Sequence, residues 1–257
     1  MKRVTLVSST KAEWIKFRSV RSSLFGVLSM WLLSIGLGVL FDVVETHHGN
    51  GGGDVLDPLA RSLGVTHLSV FFVGVVGAMF ITSEYTTTSI RTTLTAVPRR
   101  TLLVVSKLVV MLATLCVVCE LLVFALFLIG QAIYKGSNHG SFSLNFPGAL
   151  RGVLLAGLYL VLMSWLGFAL GLVLRKTPAA IMVFVTIVLI APVLLFLLPN
   201  GLQNSIDRYM PTHLGEGMMS LNQAGGTFSP YVCTFVLLAY VVGLTAFGTS
   251  LMNRRDA

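Results

Sequence analysis

The chain has 257 residues, of which 55% are hydrophobic and only 11% charged, and its mean hydropathy is +0.86. A soluble domain carries about a quarter charged residues, so this composition excludes a water-covered globule and requires lipid around most of the surface. The formal net charge of +8 then reads as topology, not as nucleic-acid binding, because cations gather on the side of a membrane from which they are not translocated.

The opening MKRVTLVSSTKAEWIKFRSVRSS is basic and lacks the early apolar core and cleavage site of a signal peptide, so the first apolar run is expected to stay attached. Thr10 and Glu13 have capping-box spacing, and Trp14, Phe17, Val20 and Leu24 gather on one side of the helix that would follow. This pattern predicts a cytoplasmic surface helix within residues 1–23, with Arg18 and Arg21 at lipid phosphates. Arg21 interrupts the apolar face, which leaves a simple basic flank as the alternative.

Six apolar runs follow, at about residues 24–41, 63–83, 102–133, 149–174, 178–198 and 231–252. About 20 apolar residues cross a hydrocarbon core some 30 Å thick at 1.5 Å per residue. The runs are continuously apolar and do not alternate, and a helix satisfies its own backbone in lipid, so the fold class is an all-α integral membrane protein with six transmembrane helices. The third run exceeds one span and is expected to tilt or project. One transmembrane domain over residues 1–257 results, with the bundle at 24–252 and a cytoplasmic tail at 253–257.

Orientation follows from Lys and Arg. With the amino terminus inside, Lys2, Arg3, Lys11, Lys16, Arg18, Arg21, Arg91, Arg99, Arg100, Lys107, Arg175, Lys176, Arg254 and Arg255 are cytoplasmic, and only Arg61, Lys135, Arg151 and Arg208 fall outside. Both termini are therefore expected in the cytoplasm, in a multi-pass protein of the cell membrane.

Between the first two spans, HHGNGGGD is Gly-rich but lacks GK[ST], and His47 and His48 have no third ligand nearby, so a flexible turn without metal is expected. His139 and His213 give no stronger metal reading. The three cysteines, Cys116, Cys119 and Cys233, lie inside apolar runs and are read as packing residues. Between the second and third spans, SEYTTTSIRTTLTAVPRR is polar and Thr-rich and closes on Pro98, Arg99 and Arg100. Before the last span, residues 199–230 are half apolar but too short to cross, which predicts short helices packed at the outer face.

Four residues inside the spans carry candidate chemistry. Glu120 is the acid deep in the third run; an ionised carboxylate there is costly, so it must face protein or water or keep its proton. A pathway residue, a structural partner for Ser, Thr or Tyr, and a proton relay are its three readings, with the structural one preferred. Pro192 is expected to kink the fifth span, and Phe72 and Phe196 could line a pathway beside it or simply face lipid. Gly167 and Gly171 with Ser164, and Gly74 with Ala78, offer small-residue faces for helix contacts within or between chains.

Glu84, Tyr85, Ile90, Arg91, Thr92, Pro98, Arg99 and Arg100 together resemble the segment linking the second and third spans in the permease subunits of type-2 ATP-binding-cassette exporters. Thr88 and Ser89 stand where many relatives have Gly-Thr. Tyr209, Met210, Pro211, Thr212, His213, Leu214 and Gly215 resemble the segment before the last span in that family, and EWIKFRSVRSS resembles its amino-terminal surface helix. The resemblance implies a short cytoplasmic coupling helix between spans two and three that contacts a separate ATPase subunit, with Glu84, Tyr85, Ile90, Arg91 and Thr92 in the contact. It also implies a second permease chain, identical or not, and a non-catalytic role. The absence of a Walker A sequence agrees, since ATP and Mg would then sit on the ATPase partner and no cofactor on this chain. The implied function is export of a lipophilic or amphipathic compound such as an antibiotic, peptide or lipid. A passage rich in Phe, Leu and Val offers a highly charged solute few partners. A secondary transporter or a polytopic membrane enzyme built on Glu120 is the alternative.

The topology has a direct test. A reporter active only in the cytoplasm should work when fused after Ala257 or within residues 86–97 and fail within residues 48–56; an externally accessible carboxyl terminus would refute the orientation.

Overall fold

The computed structural model describes residues 6–19, 21–48, 63–86, 100–136, 146–220 and 228–255. These residues are helical apart from short turns: α1 (Leu6–Ser19), α2 (Arg21–His48), α3 (Thr66–Thr86), α4 (Arg100–Gly136), α5 (Ala149–Leu174), α6 (Thr177–Val185), a π-helical turn (Thr186–Ile190), α7 (Ala191–Leu195), α8 (Asn200–Asp207), α9 (Pro211–Met219) and α10 (Pro230–Arg255). Six stretches among them are long and apolar enough to cross a membrane: Phe25–Val44, Thr66–Ser83, Thr101–Gly136, Ala149–Leu174, Thr177–Leu195 and Pro230–Arg254. They coincide with the six expected spans, and α4 has the excess length anticipated for the third.

The bundle is organised around α5, which touches α3, α4, α6, α9 and α10. In an apolar 18-residue stretch of its span 78% of residues are buried, against 22% in the corresponding stretches of the first, fifth and sixth spans. Lipid tails give no hydrophobic drive for helix association, so close packing must supply it, and small residues permit the closest approach. That is how α3 meets α5. A Cβ placed on Gly77 would lie 1.9 Å from the Ser164 carbonyl oxygen, and one on Gly167 would lie 2.2 Å from the Gly74 carbonyl oxygen. Backbone rests on backbone. Both small-residue faces expected to serve contacts within or between chains therefore meet each other inside one chain. Gly74 also accommodates the Phe184 ring of α6, whose nearest atom is 2.1 Å from the Cβ position, and Phe184 is fully buried.

The other contacts are ordered along this axis. α2 and α4 run in the same direction: the Trp31 indole donates to the Val118 carbonyl at 3.3 Å, and the Tyr134 hydroxyl donates to Asp42 Oδ1 at 3.2 Å. α10 is tied to α5 where the Trp165 indole donates to Thr245 Oγ1 at 2.9 Å. At the end where α4 begins, α1 docks through a hydrogen bond between the Ser9 and Ser106 hydroxyls (2.9 Å) and a buried ion pair between Lys107 Nζ and Glu13 Oε2 (2.6 Å). Val7, Trp14 and Ile15 of α1 point away from that contact. The polar Ser9–Glu13 face thus holds α1 to the bundle, and Trp14, expected on the apolar face, is exposed opposite it.

The two short helices expected before the last span are present at the opposite end of the bundle. α9 packs on α5 and α10. A Cβ on Gly215 would lie 2.3 Å from the Tyr159 ring, and one on Gly217 would lie 2.7 Å from Cys233 Sγ.

The α3–α5 crossing reverses the usual effect of a helical Gly→Ala change, which favours the helix by about 1 kcal/mol. Gly77→Ala and Gly167→Ala should each destabilise the detergent-solubilised protein by about 1–3 kcal/mol, because two backbones must separate. Gly243→Ala should not, since its Cβ would meet nothing within 4 Å. Thermal unfolding midpoints of the three variants make the comparison.

Candidate functional site

The carboxyl end of α3 is where the resemblance places a contact with a partner. Tyr85 lies in the last turn of α3 and is partly buried against the core. Its ring is covered by the Arg175 guanidinium, 5.7 Å from the ring centroid, and its hydroxyl reaches Met252 Sδ at 3.9 Å. Three elements therefore meet at this ring: α3, the connection from α5 to α6, and α10. One turn earlier, Thr82 Oγ1 donates to the Ala78 carbonyl at 2.9 Å and accepts from Thr177 Oγ1 at 2.8 Å. Thr177 is the first residue of α6, so the start of the fifth span is pinned to α3.

The α5–α6 connection consists of Arg175 and Lys176. Arg175 has φ 56°, a left-handed conformation that ends α5, and its N–H bonds the Gly171 carbonyl at 2.9 Å. Glycine is the usual residue for such a helix end, since any Cβ is strained there. Among the described residues Arg175 is the one non-glycine with positive φ.

Glu84 is part of α3, which runs on to Thr86. It therefore belongs to the helix of the second span. Arg18 lies in α1, and Arg21 and Arg100 are the first residues of α2 and α4. Ile90, Arg91, Thr92 and Arg99, with the expected coupling helix, lie outside the described residues.

The candidate pathway residues divide into two groups. Phe72 is on α3, while Pro192 and Phe196 are in and just beyond α7; Phe72 and Pro192 are half-buried and Phe196 is exposed in the isolated chain. Glu120 belongs instead to the α4–α5 contact. Its carboxyl lies against Gly157, where a Cβ would come within 2.4 Å of Cδ. Oε2 is buried without a hydrogen-bond partner among the described residues, so no Ser, Thr or Tyr hydroxyl satisfies that oxygen as the structural reading supposed.

Pro192 distorts the fifth span as expected, in a specific way. Proline lacks the N–H that would bond the carbonyl four residues back, and its ring crowds that carbonyl. The helix responds with a π turn over Thr186–Ile190, in which the Ala191 N–H bonds the Thr186 carbonyl five residues back. The span packs inward through a narrow stripe, Ala180, Phe184 and Val188, and leaves Met182, Leu189, Val193 and Leu194 exposed.

At the opposite end His213 Nδ1 stands 3.5 Å from Asp207 Oδ2 and 3.6 Å from Glu216 Oε2, His67 Nε2 is 3.9 Å from Glu216 Oε1, and Arg151 Nη2 donates to the Ser220 carbonyl at 3.3 Å. This polar cluster joins α3, α5, α8 and α9. Folding brings His67 and Arg151 from distant parts of the chain to the 207–220 segment, a convergence that the linear sequence does not show.

Residues 10–192, well over half the chain, match the family described as ABC-2 family transporter protein. The chain is a member of that family: a multi-pass transmembrane subunit of an ATP-binding-cassette transporter. The matched region begins in α1, takes in the α3–α5 crossing and the Tyr85 junction, and ends at Pro192. Among curated proteins none matches the chain.

Glu120→Gln retains the shape and polarity of the side chain while removing its ionisable group. It should leave assembly and most transport intact, with stability equal or higher by up to about 1–3 kcal/mol, because no protein donor to Oε2 is lost and a costly buried carboxylate is removed. Complete loss of transport by a normally assembled protein would instead assign Glu120 a proton- or substrate-handling role.

Proposed function

We propose that this chain is the non-catalytic, pathway-forming subunit of an ATP-driven exporter of lipophilic or amphipathic compounds, antibiotics, peptides or lipids among them. Energy comes from a separate ATPase subunit that carries ATP and Mg. The observation that carries the proposal is the uneven burial of the spans around α5. The first and fifth spans leave most of their surface bare in the single chain, and α3, with Phe72, lies in contact with both. Residues 177–195 of the fifth span carry no charged side chain. Such a surface suits a second permease chain and an apolar passage between the two, and it offers a charged solute nothing to replace its hydration.

In this reading the cytoplasmic segment after α3 receives the ATPase, with Glu84, Tyr85, Ile90, Arg91 and Thr92 in or beside the contact. Arg18, Arg21, Arg99 and Arg100 lie at lipid phosphates of the cell membrane, as does the exposed Trp14 face of α1. Family membership favours this reading over a secondary transporter or a membrane enzyme using Glu120, and Glu120 stands apart from Phe72, Pro192 and Phe196.

Copurification with an ATP-binding subunit tests the partnership, and charge reversal tests the contact. Arg91→Glu should weaken copurification or uncouple ATP hydrolysis from transport, since an attraction for acidic groups on the partner becomes a repulsion while Arg99 and Arg100 preserve orientation. Unchanged copurification and unchanged transport-coupled hydrolysis would reduce Arg91 to a topology signal.

A further inference from the structure

We propose that Arg175 is a positioning residue for energy coupling: by clasping Tyr85 it passes displacement of the carboxyl end of α3 to the fifth span. The inference rests on the proposed function and goes beyond it, since the resemblance assigns nothing to the α5–α6 connection.

Three observations carry it. Arg175 occupies a left-handed position (φ 56°) that strains a residue with a Cβ and that glycine would fill without strain. A glycine there would give up the guanidinium that lies over Tyr85, a cation–π contact. Second, Tyr85 lies in the last turn of α3, so a displacement of that end of the helix moves this ring. Its hydroxyl contact with Met252 steadies it against α10. Third, the element on the far side of the clasp is built to deform. The connection is two residues long, Thr177 is fastened to Thr82, and beyond it the fifth span has a narrow packing stripe, a π turn and Pro192. A helix gripped firmly at its start and weakened in its middle converts a small shift at one end into movement of the other.

The test uses the complete complex with its ATPase subunit in proteoliposomes, with a reporter that needs no known substrate. Leu197, 81% exposed just beyond α7, is replaced by Cys in a background with Cys116→Ala, and its rate of maleimide labelling is compared with and without ATP plus vanadate. Arg175→Gly keeps the backbone conformation, so the complex should assemble in normal yield. Its nucleotide-dependent change in labelling should fall about two- to fivefold, the equivalent of about 0.5–1 kcal/mol of cation–π contact. Arg175→Lys should restore most of the response. In assembled complex, Tyr85→Leu should reproduce the loss and Tyr85→Phe should not. An undiminished response in Arg175→Gly or in Tyr85→Leu overturns the inference while leaving the permease function standing. A wild-type chain that binds no ATPase, or shows no nucleotide response at Leu197, overturns both.

Discussion

The close crossing of α3 over α5 is the contact on which the rest of the bundle depends. In lipid, helices gain nothing by hiding apolar surface from one another, so association must come from dispersion at short range. Gly77 resting on the Ser164 carbonyl and Gly167 on the Gly74 carbonyl bring two backbones to a separation no side chain would allow. Once α3 and α5 are joined, Phe184 of the fifth span finds the bare surface of Gly74, and α4 and α10 pack along the remaining faces of α5.

The same arrangement decides where polar groups can be tolerated. Several hydroxyls within the spans bond their own helix, as Thr82 does to Ala78 and Ser164 to Val161, which satisfies their donors without an outside partner, whereas the Ser34 and Tyr159 hydroxyls are buried without a partner among the described residues. Charged groups collect at the two ends: Glu13 with Lys107 beneath α1, and His67, Asp207, His213 and Glu216 around α8 and α9. Glu120 is the exception, a carboxyl pressed on Gly157 at mid-span. Its presence there follows from the absence of a side chain on Gly157 and not from any hydrogen bond to Oε2.

Between these ends the fifth span differs from its neighbours in construction. α5 is continuous and enclosed, whereas the fifth span holds to the bundle along one stripe and changes its hydrogen-bond pattern ahead of Pro192. Rigidity in one helix and compliance in the next, joined by two residues whose first is held in a strained conformation, give a subunit one end of which can be moved without dismantling its core.

How much of this was legible beforehand follows from the physics of each feature. The number and approximate limits of the spans, the helical class, the presence of short helices between residues 199 and 230 and the distortion at Pro192 were readable in the sequence. Each rests on a local requirement: enough apolar length to cross lipid, a backbone that satisfies itself, a proline without its N–H. The family was readable too, from the residues around Glu84 and Tyr85. Spans that are apolar on every side carry no periodic stripe to say which face meets which neighbour. The glycine faces therefore looked equally fit for contacts within one chain or between two, and Glu120 for a hydroxyl partner. Only the tertiary structure put Gly77 on Ser164, Glu120 on Gly157 and Arg175 over Tyr85. Those pairings join residues of different helices through shape at contact distance, and the sequence of a single helix does not contain its neighbour's surface.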